Sequence, residues 1–419
     1  MSASPTPTRL TDPDSGLLPV SDALERILAA VSEVGTETVA IDQAQGRVAA
    51  EDLKAQLTHP PEAVSAMDGY ALRSADVGAL PVRLKKLGVS RAGGRFEGAL
   101  TAGGCVRIFT GAVVPRGADL IALQEDASED GEEVVIREVP PKGRYIRPAG
   151  LDFSTGQVVV PIGRVLTARD LGLLASSGHG EVAVRRRPRV AILSTGDELV
   201  APGQAPGPDQ IVSSNGVALA AAVRGWGGEA LELGIAADET AAIADAADRA
   251  RGADMLVTSG GASAGDHDLV RAGISERGFA PDFWRIAMRP GKPLMFGWIG
   301  DMPVLGVPGN PVSAVVCAVL FLRPALRKML GLPPAGPLET AILGAPMREN
   351  DRREEYARAR LQRDGEGRLV ALPFDAQDSS MQMRLSQADA LIRRPVRAPA
   401  AAAGETVEII RLDIGEPLV

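Results

Sequence analysis

Four short segments of the chain hold residue types that could do chemistry. Ser194-Thr195-Gly196-Asp197-Glu198 sets hydroxyls, a glycine and two carboxylates at the end of an apolar run. It reads equally well as a helix N-cap followed by acidic first-turn residues. In Ser259-Gly260-Gly261-Ala262-Ser263-Ala264-Gly265-Asp266-His267-Asp268, glycines and hydroxyls let backbone amides approach a phosphate. Asp266 and Asp268 could hold a hard divalent cation that bridges phosphate oxygens. Two carboxylates beside an anion cradle would repel the substrate unless a cation intervened. His267 between them reads more simply as a loop histidine.

The third segment, Met288-Arg289-Pro290-Gly291-Lys292-Pro293, is a stiff turn that presents Arg289 and Lys292. A planar fork and a point charge suit an oxyanion or a phosphate. Only six of the 45 basic residues are lysines, so Lys292 is informative by its rarity. The fourth, Gly306-Val307-Pro308-Gly309-Asn310-Pro311-Val312-Ser313, turns a strand end into a long apolar helix, with Asn310 as N-cap and Pro311 at the first helical position. Such a helix start is a ready anion site. Ser65 to Ala71 places Asp68 in a turn, and Phe109 to Pro115 places Thr110 after a strand; either could be ordinary turn chemistry. Together these residues predict an enzyme acting on a phosphorylated, nucleotide-bearing substrate with a divalent cation, plus a cationic pocket for a second anion.

The elements that must position these segments follow from periodicity. Between residues 189 and 331, the apolar runs Val190 to Leu193, Leu231 to Ile235, Met255 to Thr258 and Val304 to Val307 have the composition of buried parallel strands. Helical patterns fall at Val217 to Arg224, Thr240 to Ala250, Leu269 to Arg277 and Pro311 to Leu330. This predicts a parallel sheet with helices on its faces, and ligands bind such sheets beyond the carboxyl ends of the strands. Ser21 to Val34 reads as an opening helix with a capping box at Asp22 and Glu25. Residues 56 to 140 read as a β-rich insertion, with runs at Val82 to Val89, Val106 to Phe109 and Val134 to Val139. Gln157 to Ala175 is strand-like and then helical, and Arg185-Arg186-Arg187-Pro188 reads as a solvated linker. Short strands beyond Pro334 predict a small β-barrel. The expected fold is therefore α/β plus β, in four regions: 1–55 with 141–188, 56–140, 189–331 and 332–419.

Composition bounds the function. A chain of 419 residues has room for two to four domains of roughly 150. With 45 basic against 53 acidic residues the net charge is −8, which argues against a general nucleic-acid binder. Cys105 and Cys317 are too few for a disulfide framework and read as small buried hydrophobes; the three histidines are scattered. No signal peptide is visible, and the stretch from Val312 to Leu322 is too short for a bilayer, which needs about 20 residues. A cytoplasmic protein without a membrane partner is expected.

Taken in order, Ser65 to Ala71, Thr110 to Gly117, Ser194 to Glu198, Ser259 to Asp268, Arg289 to Pro293 and Gly306 to Ser313 resemble the motifs of the MoeA/gephyrin family of molybdopterin molybdenumtransferases. The resemblance spans about Ser21 to Leu412. It implies an elongated multidomain homodimer with a molybdopterin-binding α/β domain. It also implies insertion of molybdate into adenylylated molybdopterin, with Mg2+-dependent release of AMP. A molybdopterin adenylyltransferase would act upstream. Carried over by position, Glu198, Asp266 and Asp238 would organise the cation and the adenylylated pterin, and Lys292 with Arg289 would hold phosphate or molybdate. Pro308 and Pro311 would shape the molybdate-side loop, and Ser379 with Ser380 would reach the pterin pocket. Asp68 and Thr110 would complete the site of the other subunit. Asp152 matches a further acidic family position. The family usually has Lys where this chain has Arg289. The same α/β core occurs in molybdopterin adenylyltransferases, and non-catalytic scaffolds are built on the fold; these are the alternative readings.

Overall fold

A computed structural model describes residues 17–260, 269–334 and 338–412. Two compact units emerge: residues 1–37, 46–48 and 185–419 form the first, residues 38–45 and 49–184 the second.

The first unit is built on a six-stranded sheet of β1 (Arg189–Thr195), β2 (Glu229–Ala236), β3 (Met255–Ser259), β4 (Phe279–Phe283), β5 (Met295–Ile299) and β6 (Met302–Val307), ordered β2-β1-β3-β6-β5-β4. β2, β1, β3 and β6 run parallel. Alternate residues of β1 point to opposite faces, as a strand's period of two requires. Val190 and Ile192 join a core with α1 (Val20–Ala30), α2 (Asn215–Gly225) and α5 (Pro311–Cys317). Ala191 and Leu193 join the other, with α3 (Thr240–Arg249) and α4 (Leu269–Ser275). The two faces are thus both covered, which is why these strands read as continuous apolar runs.

The sheet is mixed rather than wholly parallel, because β5 runs antiparallel to both of its neighbours, β4 and β6. A tight turn at Gly300-Asp301 pairs Ile299 with Met302 and folds β5 back on β6. The opening helix is a further correction. Its cap position is Pro19, no side chain caps it, and Asp22 instead accepts a bond from the Ser21 hydroxyl. The long helix after β6 widens to a π turn at Ala318–Leu322 just before Pro324, which has no amide proton to continue the α pattern. Nor is Arg185–Arg187 a solvated linker. Arg185 pairs with Glu33 and Arg186 clamps Asp254 at 2.6 and 2.7 Å, while burial pulls the Arg187 proton affinity down.

The same unit ends in a closed five-stranded barrel of β7 (Glu339–Leu343), β8 (Glu354–Arg363), β9 (Leu369–Pro373), β10 (Ala390–Arg394) and β11 (Thr406–Arg411), ordered β8-β9-β7-β11-β10 and closed by β10 on β8. Alanines and aliphatic side chains fill it. Tyr356 and Leu391 project from the barrel into the α1/α2/α5 core.

In the second unit, Gly69–Leu72, Val82–Ser90, Gly104–Ile108, Leu120–Leu123, Ala127–Asp130 and Glu133–Ile136 form a six-stranded sheet. Cys105 is buried within it, and Cys317 lies buried in the first unit. In a separate core of the same unit, helix Ala168–Ser176 opens on a capping box between Thr167 and Asp170 and buries Leu174 with Val160, Leu166, Val182 and Val184. Among the described residues, no helix is long and apolar enough to cross a membrane.

Candidate functional site

The chain order around β1 dictates where a ligand can bind. β1 passes through α2 on one face to β2, whereas β3 passes to α4 on the other face. The loops leaving β1 and β3 therefore part company, and the crevice opened where adjacent strands send their helices to opposite faces is the ligand site of such sheets. Ser194, Ser259 and Val307 stand side by side across this edge.

Three of the four segments converge there. The Gly260 amide donates to the Val307 carbonyl at 3.4 Å. A Cβ on Gly260 would lie 2.3 Å from the Thr195 carbonyl oxygen, and one on Gly309 would lie 3.6 Å from the Gly260 Cα. Asn215, the first residue of α2, locks the arrangement: its Nδ2 donates to Ser259 Oγ at 2.8 Å and to the Gly309 carbonyl at 2.7 Å. Asn215 was missed in the sequence because the helix pattern was started at Val217. The polar run Ser213-Ser214-Asn215-Gly216 at the helix entry was the signal. Beside the crevice, Thr195 Oγ1 and Thr258 Oγ1 are buried and have no hydrogen-bond partner among the described residues. Buried hydroxyls without a partner are uncommon and call for one, whether water, an ion or a ligand.

No helix follows Ser194–Glu198, so the N-cap reading of that segment fails. Leu199–Val200 instead pairs in parallel with Ile211–Val212. Asp197 Oδ1 accepts the Asp238 amide at 2.9 Å. Burial raises the Asp238 pKa above 3.8, opposed by a hydrogen bond to its carboxyl from the Asp197 backbone and reinforced by the charges of Asp197 and Glu198. A cation is the usual remedy for such carboxylate crowding. Among the described residues, no three carboxylate, imidazole or thiol groups converge closely enough to cage a metal. Gly261, Ser263, Gly265, Asp266 and Asp268 lie outside the described residues.

At the fourth segment, Asn310 occupies the N-cap position and Pro311 the first helical position, but the Asn310 side chain makes no cap bond. The free first-turn amide of Val312 instead donates to the carbonyl of Ser379 at 3.2 Å, docking the barrel's serine pair on the helix start next to Pro308 and Gly309. That loop is rigid by construction. Arg358, 1% exposed, donates to the carbonyls of Asp378 and Met381 at 2.9 and 3.2 Å. Ser380 spends its hydroxyl on Asp378 at 2.5 Å. Gln382 reaches across to Ser214.

The two cations of the stiff turn part roles. Arg289 donates to Glu355 at 2.7 Å and pairs with Asp351 at 3.4 Å, so its charge is committed to carboxylates of the barrel. Lys292 is exposed, and among the described residues no side chain pairs with its ammonium. Asp68 and Thr110 lie in the second unit. There Asp68 Oδ1 accepts both the amide and the hydroxyl of Thr110, at 2.7 and 2.8 Å, and these bonds hold its carboxyl below the usual range. Arg107, stacked over the rings of Tyr70 and Phe109, adds to that effect.

The fold is that of a multidomain α/β protein with a crevice at its strand ends, roofed by a loop of a β-barrel. Three family models match in succession: the MoeA N-terminal region (domain I and II) at residues 18–178, the probable molybdopterin-binding domain at 191–328, and the MoeA C-terminal region (domain IV) at 340–412. Molybdopterin molybdenumtransferase 2 of Mycobacterium tuberculosis is 36% identical over 384 residues, covering 89% of this chain and 94% of its own. The molybdopterin molybdenumtransferase of Nostoc is 38% identical over 309 residues, 72% of this chain and 71% of its own. A solved MoeA protein from Pyrococcus horikoshii superposes with a TM-score of 0.83 at 32% identity, covering 94% of this chain and 99% of that one. The chain belongs to the molybdopterin molybdenumtransferase family, the MoeA-type transferases of molybdenum cofactor biosynthesis.

Proposed function

We propose that this protein is a cytoplasmic homodimeric enzyme that inserts molybdate into adenylylated molybdopterin, releasing AMP and the molybdenum cofactor with the help of Mg2+. The observation that carries the reading is the convergence of the Thr195, Gly260 and Gly309 loops on a crevice with two buried hydroxyls that lack a partner among the described residues. Such a cradle offers neutral donors to a phosphoanhydride. Lys292 supplies the positive charge for molybdate or phosphate, and Arg289 holds the turn against the barrel.

The residues fit Mg2+. This ion keeps several waters and binds through one or two carboxylates together with substrate phosphates, so it needs no full protein cage. Glu198 and Asp238 supply hard oxygens, with Asp266 and Asp268 as the further carboxylates of the glycine-rich loop. Held by these carboxylates, the cation would supply the charge that offsets the anhydride and the leaving phosphate. No side-chain nucleophile is required. Metal ligation falls to the pterin dithiolene, in keeping with two buried cysteines. Asp68 and Thr110 of one subunit complete the site of the other, and a molybdopterin adenylyltransferase supplies the substrate.

The test is AMP release from adenylylated molybdopterin by the purified protein with Mg2+, with and without molybdate. Molybdate-stimulated release that falls at least a hundredfold in Glu198→Gln is expected. Tight substrate binding with no AMP under any condition overturns the reading.

A further inference from the structure

We propose that a cavity beside the crevice is a slot for a planar fused nitrogen heterocycle, the adenine or pterin ring of the substrate; this rests on the function proposed above. The cavity holds about 300 Å3, at the small end of ligand pockets. That is room for one bicyclic ring and not for the whole substrate. Ile192, Val217, Ile235 and Pro202 line it with hydrocarbon. Gly216, whose added Cβ would lie 3.0 Å from Ser194 Oγ, leaves that hydroxyl open to the slot.

Two hydroxyls line this cavity, and both are nearly buried: Ser194 is 4% exposed and Ser213 is 7% exposed. Among the described residues neither hydroxyl has a hydrogen-bond partner. Each can donate or accept, which suits the alternating ring nitrogens and amino groups of a purine or pterin edge. Glu232, also lining the cavity and bound by Arg224, adds a carboxylate acceptor for an exocyclic amine. Val217 and Ile235 remain 54% and 36% exposed, apolar surface that a ring face would cover. Ser194 directly precedes Thr195, so a ring held here keeps its phosphates beside the crevice.

The experiment measures binding of AMP by calorimetry and of pterin-6-carboxylate by its fluorescence, to the wild type, Val217→Trp and Ser213→Ala. Val217 is exposed, so the tryptophan fills the slot without entering the core; Ser213→Ala removes a hydroxyl and adds nothing. At least tenfold weaker binding of one ligand in Val217→Trp, with a several-fold loss in Ser213→Ala, supports the slot and names its ring. Unchanged binding of both ligands in both variants overturns it, as does failure of the wild type to bind either at millimolar concentration. Molybdate-dependent AMP release is followed in parallel. Its absence in a wild type that binds the ring sinks only the transferase reading, and normal release with unaltered ring binding in both variants sinks only the slot.

Discussion

Gly260 and Thr195 approach so closely that any side chain at position 260 would strike the Thr195 backbone: a Cβ there would lie 2.3 Å from its carbonyl oxygen and 2.9 Å from its hydroxyl. Gly260 also has φ +102°, a conformation L side chains rarely adopt. Gly260→Ala therefore has to push apart the loops leaving β1 and β3. The expected cost is about 1–3 kcal/mol of stability, from strain and overpacking combined. Thermal melting checks the stability, and a parallel assay should show AMP release reduced at least tenfold. Wild-type melting and activity in this variant would refute the close approach.

Asn215 makes a sharper distinction, because its amide donates to one neutral hydroxyl and one carbonyl. Asn215→Ala removes both bonds and should cost about 1–3 kcal/mol. Asn215→Asp is expected to be worse despite its similar shape. A carboxylate cannot donate to the Gly309 carbonyl, and would face it at about the 2.7 Å now spanned by a hydrogen bond. Activity should therefore fall in the order wild type, Ala, Asp. An aspartate variant as active as the wild type would remove Asn215 from the positioning of these loops.

Much of this was legible in the sequence. The parallel strands announced themselves because burial on both faces forces unbroken apolar runs, as in Val190 to Leu193 and Val304 to Val307. β4 and β5 escape the pattern because Pro281 and Asp282 interrupt the one and Gly297 the other, although Gly300-Asp301 between apolar runs is a hairpin signal. Glycine spacing located the site loops, since close backbone approach needs glycine wherever it occurs. Partner choice was not legible. Nothing in Arg289-Pro290-Gly291-Lys292 says that Arg289 will be claimed by Glu355, 66 residues on, while Lys292 is left exposed. Ser379 was placed by motif, but its docking on the Val312 amide depends on barrel closure, a tertiary fact with no local signature.

The burial of Asp238, with the charges of Asp197 and Glu198 beside it, gives a pH prediction with a definite sign. Its folded pKa is raised above 3.8, so the native state binds more protons than the unfolded chain across the window from 3.8 up to the raised value. Stability contributed by this group rises as pH falls through that window and is lost toward neutrality. Asp238→Asn should flatten that part of the stability profile and hold or raise the melting temperature at pH 7. Mg2+ should raise the melting temperature of the wild type at pH 7 and do so less in Asp238→Asn. An equal Mg2+ shift in both proteins would take Asp238 out of the cation's surroundings.

Asp68 and Lys292 belong to different compact units, and the proposed homodimer makes a site from one of each. Asp68 is fixed by the Thr110 amide and hydroxyl and stays ionised well into acid, so its contribution at neutral pH is a positioned negative charge. Asp68→Asn keeps an oxygen able to accept both Thr110 bonds and should melt like the wild type while losing activity. Asp68→Ala and Lys292→Ala should each be inactive. When mixed under conditions that exchange subunits, a heterodimer carries one site with both defects and one with neither. Random exchange of equal amounts makes half of the dimers heterodimers, each with one intact site of two, so about a quarter of wild-type activity should return. Size-matched tagged subunits verify the exchange independently. No recovery despite verified exchange would show that each subunit builds its site from its own Asp68 and Lys292.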